Sequence, residues 1–525
     1  MRPLRPLSGV LSLLALVYAV VELPAAAERA IDPPTRTATR AVVHGRFAGA
    51  TEAKATSFDV FSDGREPIVA ADRPGSSPRA PGSTLGFDAL ADLDGFFPAD
   101  PSGALGTASY VAATNVRVAV FDRSGLPLLG PTRLMDLHPD GSGILNFDPK
   151  VVHDPFTDTH VLVWLGLEDA PPTSVIFVAA IPDSTAADLG TWCVTSFAGD
   201  QVASDPARWA DYPSVGFDDD RVVVSTNQFT FPSSRGRFAY AQLLSIPKPA
   251  LYDCTQPPPL PDVFAGTATR DRNGVQASTI QPAQTLGTSS AHQLLVSVQL
   301  AGKASYLTIW RLKDTATGLE LKRGNVPIGR TKLPPAGTQG GGSLADPDTY
   351  WDAGDERLVN AFYDSDRRAL YAAHAVGRNL RPDRATGGYR EAVARWYEVR
   401  PAGRLRRSSL VRSGLVGEPE VDVGWPTVAT DAAGNLFVTY GRASQPRGEF
   451  LSAWVAEILP GATTGTQLLL EPGLALYDAI GGIERWGDFT AINRDPAGGG
   501  AVATFNQYAN ALGTWQQVVH LVAHA

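Results

Sequence analysis

The chain has no basic cluster, almost no cysteine and, beyond its first two dozen residues, no long apolar run, and each shortage excludes something. Formal net charge is −9. The densest basic stretch, Arg404-Leu405-Arg406-Arg407, reads as a solvated turn. A nucleic-acid partner, which needs basic surface to release phosphate counterions, is therefore not expected. After residue 21 nothing reaches the roughly 18 to 20 apolar residues of a membrane-spanning helix, so the mature chain is expected to have no transmembrane segment. The two cysteines, Cys193 and Cys254, have no histidine or third cysteine at ligand spacing, which argues against a zinc site there. In an oxidising compartment they are expected to pair, closing a loop of about 60 residues for roughly 4 kcal/mol by chain entropy; two separate buried thiols are the alternative. Familiar catalytic signatures are missing too: no Gly-x-Ser-x-Gly elbow, no His-Glu-x-x-His, no phosphate-cradling Gly-x-x-x-x-Gly-Lys. His153 and His160 flank one turn, and two such residues make neither a triad nor a closed metal site.

What is present belongs to a globular, exported protein. A hydrophobic share of 44% and a charged share of 19% over 525 residues supply an ample core. Arg2 and Arg5, the apolar residues 10–21 and the small-residue stretch Leu23-Pro24-Ala25-Ala26-Ala27 predict a signal peptide over 1–27 and a secreted or periplasmic address. No cysteine follows the cleavage site, so no lipid anchor is expected. Residues 28–84, rich in Ala, Pro, Arg, Thr and Ser, read as a linker or arm with one short strand at 57–61. The remainder, 85–525, reads as one domain.

Its organisation comes from an echo. Arg208-Trp209-Ala210-Asp211-Tyr212 recurs as Arg485-Trp486-Gly487-Asp488-Phe489, and Thr226-Asn227-Gln228-Phe229 as Phe505-Asn506-Gln507-Tyr508. Between and around them the chain falls into modules. Each has a polar or aromatic step beside Pro, a short strand, an Asp/Gly turn, a strongly apolar strand and a third strand after a variable loop. Openings stand at Asp100-Pro101, Asp148-Pro149, Asp211-Tyr212-Pro213, Thr279-Ile280-Gln281-Pro282, Asp346-Pro347-Asp348, Trp425-Pro426 and Trp486-Gly487-Asp488. A three- to four-stranded antiparallel unit repeated in this way predicts an all-β fold, a β-propeller of seven blades with six as the alternative. A lone sheet cannot cover both its faces, whereas blades packed around an axis do. A monomer is expected.

In a propeller the first strand of each blade opens on one face, which would bring Asp100, Asp148, Asp211, Asp346 and Asp488 to one rim. There they could hold a cation, Ca²⁺ by the hardness of their oxygens, or cap their own turns. No cofactor is required by the sequence. Asp92-Leu93-Asp94-Gly95 is a further acidic candidate. Trp209, Trp425 and Trp486, with Tyr212, offer either inter-blade packing or an aromatic platform for a sugar, flanked by Arg208 and Arg485 and by the amides of Asn227, Gln228, Asn506 and Gln507. If the chain is a hydrolase, Asp148, Asp211 and Asp488 are the candidates, because paired carboxylates across a channel mouth suit glycoside hydrolysis.

The succession Gly86-Phe87-Asp88, Ser109-Tyr110-Val111 with Val118-Ala119-Val120-Phe121-Asp122, Asp148-Pro149-Lys150-Val151, Asp211-Tyr212-Pro213 with Ser225-Thr226-Asn227-Gln228-Phe229, Arg395-Trp396-Tyr397-Glu398-Val399 and Arg485-Trp486-Gly487-Asp488-Phe489 resembles a family of secreted bacterial β-propeller proteins described as sialidase-like or uncharacterised. The resemblance runs from about Gly86 to the C-terminus and implies fold and export rather than an activity. A sialidase needs an arginine triad, a Tyr/Glu nucleophile pair and Ser-x-Asp-x-Gly-x-Thr-Trp turns. Here 429–436 is a loose analogue without the Trp, and adjacent Tyr397 and Glu398 point to opposite faces of a strand. The sequence therefore favours a secreted propeller that binds a carbohydrate or protein ligand without catalysis. A glycoside hydrolase or lyase, and a structural surface protein, stand as alternatives.

Overall fold

The computed structural model describes residues 68–71, 81–202, 208–257, 259–287, 294–298, 305–380 and 391–525. The expected signal peptide and the expected strand at 57–61 lie outside them. The described chain is all-β, with short 3₁₀ turns and one helix of five residues, Lys248–Tyr252.

Its strands pair antiparallel in successive sets of four; three sets stand as separate sheets, and the others are linked by parallel pairings between strands of neighbouring sets. The first holds Ser102–Leu105, Ser109–Thr114, Arg117–Asp122 and Pro127–Arg133. The second holds Leu145–Asp154, Thr159–Asp169, Pro172–Pro182 and Cys193–Ala198. The third holds Arg208–Phe217, Arg221–Thr230, Phe238–Pro247 and Asp262–Phe264. The fourth holds Gln281–Leu286, Leu294–Val298, Tyr306–Thr315 and Gly318–Pro327. The fifth holds Ala361–Asp364, Ala369–Arg378, Glu391–Arg400 and Ser409–Val416. The sixth holds Asp422–Thr430, Leu436–Ser444, Glu449–Ile458 and Thr466–Glu471. The seventh takes Ala491–Arg494, Ala501–Ala509 and Trp515–Ala523 from the end of the chain and Gly82–Ala91 from its beginning. The Gly86 segment, at the head of the resemblance in the sequence, is thus the outer strand of the last sheet.

The innermost strands stand side by side in chain order, and that of the seventh sheet lies beside that of the first. Apolar side chains fill the wedges between neighbouring sheets. Trp164 stacks on Phe177 at 4.9 Å between the first and second sheets, and Trp209 on Phe229 at 5.2 Å between the second and third. This burial on both faces is what makes each middle strand read as a continuous apolar run.

The polar step at each module's opening has a backbone cause. Asp100, Asp148, Tyr212, Thr279, Glu356 and Trp425 all sit at positive φ, between 48° and 70°. Each stands at or just before the innermost strand of its own sheet. The register slips between Phe147 and Lys150, Asp211 and Ser214, and Gly424 and Thr427, so three of these residues form bulges that re-aim the chain. By this alignment Tyr212, and not Asp211, holds the place of Asp100 and Asp148.

Side chains then staple each inner strand to the next. Ser102 Oγ accepts the Val151 N–H at 2.9 Å, and Asn115 Oδ1 accepts the Asp148 N–H at 2.7 Å. Asn227 Oδ1 accepts the Thr279 N–H at 2.7 Å. Asn360 accepts from and donates to the Val428 backbone at 2.9 and 2.8 Å. Asn493 treats Leu105 likewise at 3.0 and 2.9 Å, joining the last sheet to the first.

Outside the ring, Ile68–Ala71 of the arm runs parallel to the outer strands of both the fifth and sixth sheets, pairing with Leu415 and Val416 and with Thr466 and Gln467. Cys193 and Cys254 form a disulfide with Cα atoms 5.3 Å apart, tying the edge of the second sheet to the segment after the Lys248–Tyr252 helix. Among the described residues no helix is long and apolar enough to cross a membrane.

Candidate functional site

The left-handed residues deliver a group of charged side chains to one place, where five sheets meet. Lys150, two positions after the bulge at Asp148, is the centre. Its Nζ lies 3.5 Å from the centroid of the Phe489 ring and 5.8 Å from that of Tyr212. The charges of Asp100, Asp148, Asp488 and Arg357 all act on it. Lys150 keeps 8% of its surface, and among the described residues its ammonium has no hydrogen-bond or ion-pair partner. Burial pushes its pKa down to about 7, with Arg357 acting in the same direction and the three aspartates opposing. A lysine at that point exchanges its proton near neutrality, as functional amines do.

The neighbours are more tightly held. Asp100 Oδ1 accepts the Asp488 N–H at 2.6 Å and its Oδ2 accepts the Asn115 amide at 3.0 Å. Asp488 pairs with Arg485 at 3.1 Å, and its carbonyl accepts the Tyr212 hydroxyl at 3.0 Å. Arg357 donates Nε to Asp355 at 2.7 Å while its guanidinium lies 4.3 Å over the Tyr212 ring. Tyr212 is held above its usual pKa by burial, so its hydroxyl stays a donor. The sequence expectation of converging aspartates thus meets Asp100, Asp148 and Asp488, arranged around a lysine of the chain itself. Two basic side chains already stand among these carboxylates, a set that does not suit Ca²⁺.

Two long connections roof this end of the ring. Residues 328–360 and 472–490 meet through backbone bonds from Asp352 N to Glu484 O, 2.9 Å, and from Glu484 N to Tyr350 O, 2.7 Å. The side chain of Gln339 adds a two-way clasp to Tyr477, 2.8 and 3.0 Å. Trp351, Trp425, Trp486, Tyr477, Phe489 and Tyr212 pack together beneath.

The other residues singled out from sequence fall elsewhere. Asp346 is exposed and caps a 3₁₀ turn, its carboxylate accepting the Asp348 N–H at 3.2 Å; the fifth sheet brings Asp355 and Arg357 to the axis instead. Asp211 is buried and its carboxylate accepts the N–H of its own neighbour Tyr212 at 2.9 Å. Arg208 pairs with Asp200 at 3.1 Å, and Trp209 gives its N–H to Thr230 O at 3.1 Å. Trp425 gives its N–H to Asp352 O at 2.7 Å, and Trp486 meets the Tyr477 ring edge-on at 4.9 Å. Asn506 donates to Thr439 Oγ1 and Tyr440 O at 3.0 and 2.8 Å, and Gln507 donates to the Trp486 carbonyl. Asp94 is taken by Arg117 at 2.6 Å. All three tryptophans are buried, with their rings against protein. Tyr397 meets His374 at 2.9 Å while Glu398 pairs with Arg412 on the opposite face.

No family model and no curated protein sequence matches the chain. Among solved structures it is similar to a protein of unknown function from Dyadobacter fermentans, with a TM-score of 0.41 and 10% identity over 72% of this chain and 94% of that one. A Dos1 propeller gives 0.37 and 11% over 84% and 95%. Trypanosoma rangeli sialidase, solved with 2,3-difluorosialic acid, gives 0.35 and 9% over 78% and 57%. Likeness at this level decides neither an activity nor a ligand.

Proposed function

We propose that the chain is a secreted seven-bladed β-propeller that binds a hydroxyl-rich ligand, a glycan, at the axial group around Lys150, without cleaving it. The observation that carries this reading is the Lys150 ammonium, buried at the axis between two aromatic rings and three aspartates with no partner among the described residues. Carboxylate acceptors, an amine donor and a ring face are what a sugar's hydroxyls and C–H groups need together. The loops at 328–360 and 472–490 are the elements that would part to admit it. Successive four-stranded sets whose inner strands neighbour one another in chain order support the blade count. The disulfide and the apolar N-terminal run support export.

The convergence of Asp100, Asp148 and Asp488 favours one second reading, a glycoside hydrolase or lyase. Against it, both oxygens of Asp100 and one of Asp488 are already occupied by protein donors. A glycan array and a dye-linked substrate panel on mature protein separate the two. Binding without turnover, lost in Lys150→Met with the fold retained by circular dichroism, is the expected result. Turnover abolished by Asp148→Asn or Asp488→Asn with folding intact would replace the binding reading with the hydrolase. No bound or cleaved saccharide would leave the chain a structural surface protein.

A further inference from the structure

We propose that a second polar group, His153, His160, Asp158 and Asp183 at the far end of the second sheet, is a site for a divalent transition-metal ion of the Zn²⁺ class. The group is independent of Lys150. Lys150 and His153 stand three positions apart in the strand Leu145–Asp154 and so project from opposite faces of it.

His153 and His160 are direct cross-strand partners in the hairpin of Leu145–Asp154 and Thr159–Asp169. Such partners project from the same face of a sheet, and the two rings lie 5.0 Å apart, edge to face. Asp158 occupies the hairpin turn. Asp183 opens the 3₁₀ turn after Pro172–Pro182, and its N–H bonds the Asp158 carbonyl at 3.0 Å, which fixes the two turns together. Ligand atoms of His153, Asp158 and Asp183 all lie within 4.8 Å of one another. His153 Nε2 is 3.0 Å from Asp158 Oδ1, and His160 Nε2 is 2.9 Å from Asp183 Oδ1.

These separations are close to the spacing of neighbouring ligands around an ion whose bonds are about 2.0 to 2.2 Å long. One imidazole and two carboxylates converge, with the second imidazole, His160, bonded to one of those carboxylates, and nitrogen in the set favours a borderline ion over Ca²⁺ or Mg²⁺. An outer shell is already in place: the carboxylate of Asp183 also accepts Ala108 N at 2.5 Å, Ser109 Oγ at 2.5 Å and Ser109 N at 3.1 Å, all from the first sheet. Such contacts orient ligands in metal centres. The Asp158 side chain is 43% exposed and gives an ion a way in, whereas His160 and Asp183 are fully covered. His160 Nδ1, the ring nitrogen that does not face Asp183, is buried with no partner among the described residues. Ser109, His160 and Asp183 do not form a hydrolytic triad. Asp183 Oδ1 receives both the serine and the same imidazole, so the histidine does not stand between them.

The test uses untagged mature protein stripped with EDTA and titrated with Zn²⁺ alone by calorimetry, with Co²⁺ as a spectroscopic substitute. Expected are one Zn²⁺ per chain, a rise in melting temperature on binding, and visible Co²⁺ bands of a low-coordinate nitrogen–oxygen site. His153→Ala and Asp158→Asn should each weaken Zn²⁺ by at least about tenfold, the size of effect that disturbing a metal's ligand environment produces. Asp158→Asn alters an exposed turn side chain and carries the test if His153→Ala fails to fold. Absence of saturable binding in the parent protein, or an affinity unchanged in Asp158→Asn, overturns the proposal.

Discussion

Lys150 is surrounded by residues from five sheets, and its chemistry follows from that placement. Its folded-state pKa of about 7 lies below the ordinary lysine value of 10.5, with burial the largest cause. Between those two pH values the unfolded chain holds a proton that the folded chain has released, so the contribution of this group to stability rises with pH across that window. Below pH 7 the full cost of a buried charge is present. The melting temperature of the parent protein should therefore gain on that of Lys150→Met between pH 7 and 10, and a constant difference would contradict the assigned environment. In the sequence Lys150 was one letter of the motif Asp148-Pro149-Lys150-Val151, with nothing to mark it. A single lysine in a strand looks like any solvated one, and only the bulge at Asp148, together with Tyr212 and Phe489 from other sheets, buries it. The aspartates were legible because they recur beside proline. Their partners, Lys150, Arg357 and Asn115, were not, because no periodicity relates them.

At the scale of the element, the echo that organises the sequence marks the bulged entries to inner strands. Its register is one residue out, since Tyr212 rather than Asp211 takes the left-handed position. Strand positions in the middle of each sheet were readable from continuous apolar runs. The outer strands Gly318–Pro327, Ser409–Val416 and Thr466–Glu471 were missed because one face is solvated and their composition is that of a loop. The asparagine staples make a separate prediction. Asn493 satisfies both backbone groups of Leu105, so Asn493→Ala leaves a buried N–H and C=O bare and should cost about 1 to 3 kcal/mol in chemical denaturation. Asn493→Asp keeps the acceptor and loses the donor, and should not restore the parent stability.

For the whole molecule, the last sheet is completed by a strand from the beginning of the chain. Gly82–Ala91 covers the edge of Trp515–Ala523, so deleting residues 82–91 exposes a row of unpaired backbone groups next to the first sheet. Such a deletion should aggregate or melt well below the parent, and a melting temperature equal to the parent's would contradict this role. The disulfide spans 61 residues between the second and third sheets, and replacing both cysteines with serine should cost about 2 to 5 kcal/mol.

The central claim is that the axial lysine binds a sugar. It is tested most directly by calorimetry of an array-selected saccharide against parent protein and Lys150→Met, each checked by circular dichroism to be folded in the absence of ligand. Lys150→Met should lose at least about tenfold in affinity, since a hydrogen bond from a charged donor contributes about 1.5 to 3 kcal/mol. Equal affinity in the two proteins would place the ligand elsewhere and contradict it.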